Sequence, residues 1–215
     1  MAGVPRLRGP DRGAAPGRLP AAADDRARRA HRRGPPSAHP DPVYRYREAG
    51  GPEAGGLPAD APRSQLLSSG TAVHWALDAQ RLLAEEWGVA ADVWSAPSWT
   101  ELRRDALSCD AARLRGEERV PYVTRALRGA PGPVVAVSDW MRAVPDQIAP
   151  WVEQDWTSLG TDGFGLSDTR EAARRHFGVD PGSIAVAALE ALARRGEVKP
   201  ETVREAAARY GGTAG

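Results

Sequence analysis

Short apolar runs alternate with stretches of helical spacing along most of this chain, and that alternation limits its folds more than any other feature. Residues 64–69 read as a buried strand. Gly70-Thr71 then turns it into a helix on which Val73, Ala76, Leu77, Leu83, Ala84 and Trp87 share a face, until Gly88 ends it. Residues 91–95 form the next strand. Ser98 caps a helix that starts at Trp99 and carries Glu101 in its first turn, whereas the polar stretch 105–120 reads as irregular. Pro121 suits the first position of a short helix through Leu127. Residues 133–137 are the clearest β-branched run and the expected central strand. Residues 143–151 read as a helix opened by Pro145 and limited by Pro150. A strand at 156–159 follows. The last helices run from Asp180-Pro181 through Arg195, with Ile184, Ala188, Ala191 and Leu192 inward, and onward from Pro200. Strands separated by helices predict an α/β fold, a three-layer sandwich around a small, mostly parallel sheet.

The stretch 158–178 is the most distinctive. Gly160, Gly163 and Gly165 fall within six positions, a backbone able to take positive φ or to let another segment approach closely. Beyond Ser167, Asp168 is an N-cap acceptor and Glu171 completes a capping box. Ala172, Ala173, His176 and Phe177 share one helical face, and Gly178 stops the helix. Strand, glycine loop and capped helix make a usual place for a site in an α/β sheet. A phosphate there would face Asp162 and Asp168, and no lysine follows the glycines. Two unit charges about 4 Å apart interact by roughly 4 kcal/mol at an effective dielectric of 20, more than a helix end returns. The residues therefore favour a tight loop pinned by Asp162 and Arg170, with Phe164 packed against another domain or subunit.

With 215 residues and 41% hydrophobic content, the chain can hold one sizeable domain, or one domain and a tail. No apolar run is long enough to cross a bilayer, and the first residues lack the apolar core of a signal peptide, so a cytoplasmic protein is expected. The single cysteine, Cys109, excludes an internal disulfide and a multi-cysteine zinc site. No Gly-x-Ser-x-Gly elbow and no His/Cys ligand cluster occurs, and His74 and His176 read as structural histidines beside the core. Seven tryptophans lie between Trp75 and Trp156; they suit either core packing or a surface that faces other domains.

The net charge of +1 hides an asymmetry: residues 1–40 hold nine arginines against three acids. That segment has almost no large apolar residue and reads as a disordered tail, and 41–62 as a linker with a candidate edge strand at 43–48. Its basic cluster, Arg26, Arg28, Arg29, Arg32 and Arg33, has no interleaved aromatic and no accompanying nucleic-acid module, so it is read as an uninformative leader rather than a nucleic-acid arm.

Gly160-Thr161-Asp162-Gly163-Phe164-Gly165, followed by Ser167-Asp168-Thr169-Arg170-Glu171, resembles the C-terminal domain of the homodimeric pyruvate dehydrogenase decarboxylating component, a transketolase-like enzyme dependent on thiamine diphosphate. Further pieces resemble it in the same order. They are Gln65-Leu66-Leu67-Ser68-Ser69-Gly70-Thr71, Ala91-Asp92-Val93-Trp94-Ser95 with Ser98-Trp99-Thr100-Glu101-Leu102, Arg119-Val120-Pro121-Tyr122-Val123, Val137-Ser138-Asp139-Trp140-Met141, and Val186-Ala187-Ala188-Leu189 leading to Ala193-Arg194-Arg195-Gly196-Glu197. The resemblance spans roughly residues 63–210 and implies a transketolase C-terminal-like domain over 63–215.

That family binds thiamine diphosphate through Gly-Asp-Gly with a downstream Asn on Mg2+, and a glutamate activates the cofactor's aminopyrimidine. Thr161-Asp162-Gly163 lacks the leading Gly and the Asn. The resemblance thus assigns cofactor and metal to two N-terminal domains of the full enzyme, and carries no catalytic, cofactor-binding or metal residue onto this chain. What it leaves is a signature loop or interface: Gly160, Thr161, Asp162, Gly163, Phe164, Gly165, Ser167, Asp168 and Arg170. The expectation is a C-terminal fragment or separately encoded remnant, inactive alone. It would give scaffold and dimer contacts to an enzyme that decarboxylates pyruvate and reductively acetylates lipoyl groups. Its partners would be the remaining domains or a second protomer, and the lipoyl acyltransferase complex. Rival readings are a stand-alone regulatory module with a small-ligand pocket near Asp162, and nucleic-acid binding through the basic arm.

Overall fold

A computed structural model of the chain describes residues 42–49, 57–165 and 167–211. The tail read at 1–40 and part of the linker lie outside the described residues. Five strands form one sheet: β1 (Tyr44–Arg47), β2 (Arg63–Ser68), β3 (Ala90–Ser95), β4 (Val134–Val137) and β5 (Trp156–Leu159), in the order β1-β3-β2-β4-β5. β2 runs parallel to β3 and β4, β4 runs parallel to β5, and β1 closes one edge antiparallel to β3. Leu66 pairs with Val93 and Val135, and Leu67 with Trp94 and Ala136, so each apolar row crosses the sheet in register. β4 is buried along its length, but β2 holds the middle of the sheet.

The two faces carry separate cores, which makes three layers. On one face lie α1 (Ala72–Trp87), α6 (Pro181–Arg194) and α7 (Pro200–Tyr210). Leu83, Ile184, Leu189 and Leu192 fill this core between alanines, Ala72, Ala76 and Ala79 of α1 against Ala185 and Ala188 of α6, with Ala206 of α7 in the same cluster. On the other face, α2 (Trp99–Arg113) and α3 (Tyr122–Leu127) cover Leu67, Trp94, Val134 and Ala136 with Trp99, Leu102, Val123 and Leu127.

Helix ends follow local chemistry. Gly88 closes α1 in the left-handed region at φ 64, and Val89 N–H donates to Leu83 O at 2.9 Å. The Ser98 hydroxyl takes the Glu101 N–H, and the Asp180 carboxylate takes the Ser183 N–H at 2.8 Å.

Three helix expectations need correction. The stretch from Asp105 is helical to Arg113, because Ala106, Cys109 and Ala112 continue the buried face of Leu102 with side chains too small to mark it in the sequence. Helix α3 begins at Tyr122 rather than Pro121, with the Asp105 carboxylate taking the Tyr122 N–H at 2.6 Å. Residues 143–151 split into α4 (Ala143–Asp146) and one 3-10 turn (Ala149–Trp151), because Pro150 has no N–H to offer Asp146.

Two polar devices sit inside this frame. Gln65, fully buried on β2, donates to Pro131 O at 2.7 Å and accepts from Trp94 Nε1 at 2.8 Å. Asp92, buried on β3, accepts from Ala49 N–H at 2.7 Å and Arg63 at 3.2 Å, which ties the end of β1 to the sheet.

Candidate functional site

The chain leaves β2 toward β3 on one side, while β4 lies on the other, so the carboxyl ends of β2 and β4 flank the reversal point where open α/β sheets place ligands. Here that point is closed. Ser69 Oγ and Ser138 Oγ meet at 3.2 Å, Trp99 Nε1 donates to Ser69 Oγ at 3.0 Å, and Trp140 N–H donates to Ser138 Oγ at 3.1 Å.

Beside it, the loops after β4 and β5 lock together. Thr161 N–H donates to Trp140 O at 3.0 Å, and Thr161 Oγ1 donates to Asp139 O at 2.7 Å. Asp162 accepts from the Arg142 backbone N–H at 2.9 Å and from Arg142 Nε at 2.6 Å. The Arg142 side-chain bond, then the backbone bond, holds the Asp162 carboxyl below the usual carboxylate range. Asp162 therefore pins the loop as expected, but its partner is Arg142 and not Arg170, which is exposed on the first turn of α5 (Arg170–His176). Parallel neighbours bring their carboxyl-terminal loops together, whereas Arg170 lies one further segment along the chain.

The three glycines differ in what they do. A Cβ on Gly160 would lie 2.5 Å from Trp140 O and 2.7 Å from Arg142 N, so only hydrogen fits there. Gly163 takes φ 94, while a Cβ on Gly165 would meet nothing within 4 Å. Ser167 is exposed. Asp168 is not the N-cap: it accepts the Thr169 N–H at 2.6 Å, and Thr169 Oγ1 caps α5 by taking the Ala172 N–H at 3.2 Å. Arg174 stacks over the Trp75 ring at 4.7 Å, which seats α5 on α1.

Phe164 is 98% exposed, and Trp140 and Met141 on the neighbouring loop are 65% and 56% exposed. Among the tryptophans only Trp140 is exposed: Trp75, Trp94 and Trp99 are buried, and the others are partly buried. His74 and His176 are exposed rather than beside the core; on α1, Ala72, Trp75 and Ala76 take the inner side and leave His74 outward. Cys109 is buried on α2, and that burial pushes its thiol up. Two shallow depressions of about 460 and 430 Å³ are lined by Arg47, His74 and Asp78 and by Arg63, Arg195 and Glu197, away from the loop residues.

The family model described as the transketolase-like TK C-terminal domain matches residues 53–180. The chain belongs to that family. Among relatives, the domain is 53% identical over 171 residues to the pyruvate dehydrogenase E1 component of Mycobacterium tuberculosis, covering 78% of this chain and 18% of that protein. It is 51% identical over 171 residues to the E1 component of Mycolicibacterium smegmatis, with the same coverage of each. The chain thus spans about a fifth of the length of the relatives it matches. Among solved structures, transketolase from Leishmania mexicana is similar over 71% of this chain and 18% of its own, at 19% identity and a TM-score of 0.44.

Thiamine diphosphate and Mg2+ do not fit the residues of this transketolase-like domain. Hydrogen bonds from Arg142 engage both oxygens of Asp162, the chain contains no asparagine, and the described residues hold no group of three or more His, Cys, Asp or Glu placed for a metal. No chemical step is assigned through that cofactor here.

Proposed function

We propose that this chain is the C-terminal scaffold and subunit-contact domain of a pyruvate dehydrogenase decarboxylating component, and that it performs no chemistry alone. In the full enzyme the reaction would be pyruvate decarboxylation with reductive acetylation of lipoyl groups. The remaining domains or a second protomer, and the lipoyl acyltransferase complex, would be its partners. The observation that carries this reading is the 53% identity over 171 residues, confined to 18% of a protein that bears the E1 name. The paired loops support it, since they hold their polar groups internally and turn Trp140, Met141 and Phe164 outward.

A cytoplasmic location belongs to the same proposal; among the described residues no helix is long and apolar enough to cross a membrane. Calorimetric titration of the purified chain with thiamine diphosphate and Mg2+, paired with a pyruvate-dependent dye-reduction assay, tests the reading. No binding and no turnover are expected. Micromolar, Mg2+-dependent binding would overturn it.

A further inference from the structure

We propose that the shallow depression between the end of β1 and the outer side of α1 binds a small organic dianion, one carrying two carboxylates or a phosphate on a short carbon chain. The proposal goes beyond the contact-domain reading and does not depend on it. A bulge in β1 supplies the first group. Val43 lies in the core under α2, and Arg45, on the same side of the strand, stacks over the Trp94 ring at 5.0 Å. Regular alternation would put Arg47 on that side too, opposite Asp92. Instead the register of β1 on β3 shifts between Arg45 and Arg47, and Arg47 pairs with Val93, a residue of the core beneath α1. The extra residue turns Arg47 to the α1 side, as bulges commonly re-aim a side chain. The end of the strand is held there from within. Gln80, buried on α1, donates to Glu48 O at 3.4 Å and to Ala91 O at 2.7 Å, and Asp92 accepts the Ala49 N–H.

Helix α1 supplies the other groups. His74, Leu77, Asp78 and Arg81 recur at helical spacing, and with Arg47 they line the depression of about 460 Å³. That volume lies within the range of small-molecule sites. Leu77 packs on the core below and gives the depression an apolar floor. Two guanidiniums and an imidazole stand against one carboxylate, Asp78, which Arg81 already engages at 2.5 Å. Arg81 keeps further N–H donors, since a guanidinium carries five. The surplus charge is positive, and the guanidinium fork matches the oxygens of a carboxylate or phosphate. A long polyanion suits the place less. Glu85 is exposed one turn beyond Arg81, and Glu48, paired with Arg45, follows Arg47 directly, so acids flank the positive ground.

Isothermal calorimetry on the full chain, in Mg2+-free buffer of fixed ionic strength, tests this with malonate and glycerol phosphate as probes and heparin as the polyanion. One saturable site per chain is expected. Uptake of either small probe supports the proposal, and the stronger of the two tells carboxylate from phosphate. Arg47→Gln and Arg81→Gln should each weaken binding roughly tenfold. Arg104→Gln should match the parent, although Arg104 pairs with Glu101 on α2 as Arg81 pairs with Asp78 on α1. Proton NMR of the parent gives a readout independent of how the variants fold. The His74 ring signals should move with the calorimetric midpoint, while those of His176, on α5, stay still. No saturable uptake, an equal loss in Arg104→Gln and Arg81→Gln, or His176 signals that move with those of His74 would overturn the proposal. Heparin binding with neither small probe taken up would overturn it as well.

Discussion

Replacing Gly160 by alanine tests the paired-loop geometry directly. The new methyl would sit 2.5 Å from Trp140 O, 2.7 Å from Arg142 N and 3.0 Å from Met141 C, all backbone, so no side chain can swing aside to admit it. The loops after β4 and β5 must part, which strains the Thr161 N–H to Trp140 O bond and pulls Asp162 from Arg142. Overpacking costs about 1–3 kcal/mol and the Thr161 bond about 1 more, so the expected loss is about 2–4 kcal/mol. At this chain length each kcal/mol moves the melting temperature by about 2–4 °C. Two neighbours calibrate the result. Gly163→Ala, at φ 94, should lose about 1–2 kcal/mol through backbone strain, and Gly165→Ala, with open space around it, should stay within about 0.5 kcal/mol of the parent. Urea and thermal melts of the three variants give the ranking 160, 163, 165. A Gly160→Ala protein that melts with the parent would refute the wedge.

Asp92→Ala should cost about 2–3 kcal/mol in urea, because it leaves the Ala49 N–H and a one-third exposed Arg63 without their carboxylate, and amides of β1 should exchange faster. Gly132→Ala should cost about 4 kcal/mol or more and give little soluble protein, since a Cβ there would lie 1.7 Å from Arg63 O at φ 86. Burial, then the bond to Glu86, raises the Tyr210 phenol. The folded state therefore holds that proton more tightly than the unfolded one. Its contribution is complete below the ordinary phenol value and is lost as pH rises through the raised one. Melts of Tyr210→Phe, which cannot lose this proton, should decline less than the parent's over that alkaline window.

The strand-and-helix alternation was legible because β2 to β4, α1 and α6 carry strong apolar rows, and Gly88, Ser98 and Asp180 mark an end of α1, α2 and α6 with unambiguous chemistry. The second half of α2 was not, because Ala106, Cys109 and Ala112 bury a face without a hydropathy contrast. Buried Gln80 and Asp92 were equally silent: each is satisfied by groups distant in sequence, Gln80 Nε2 by Ala91 O at 2.7 Å and Asp92 by Arg63. At the loop, the role of Asp162 as a pin was readable from its glycine setting, but Arg142 is a tertiary neighbour twenty residues earlier that only the parallel β4–β5 pairing brings within reach. The outward apolar side chains had a usable signal in retrospect, since Trp140-Met141 follows one parallel strand and Phe164 the next.

The alanine seam between α1 and α6 changes how this domain can be interrogated. Substitution to alanine, the usual survey of a core, is mute at Ala72, Ala76, Ala79, Ala185 and Ala188, where alanine already stands. A truncation scan would report Leu83, Ile184, Leu189 and Leu192 and draw a core of scattered islands. The ground between them is held by proximity of two helix backbones, which truncation to alanine cannot sample. Its map emerges from growth instead. Serine at these positions asks whether a hydroxyl finds a partner, and valine or leucine asks how far the helices can be pried apart, about 1–3 kcal/mol for each extra group forced into a filled space.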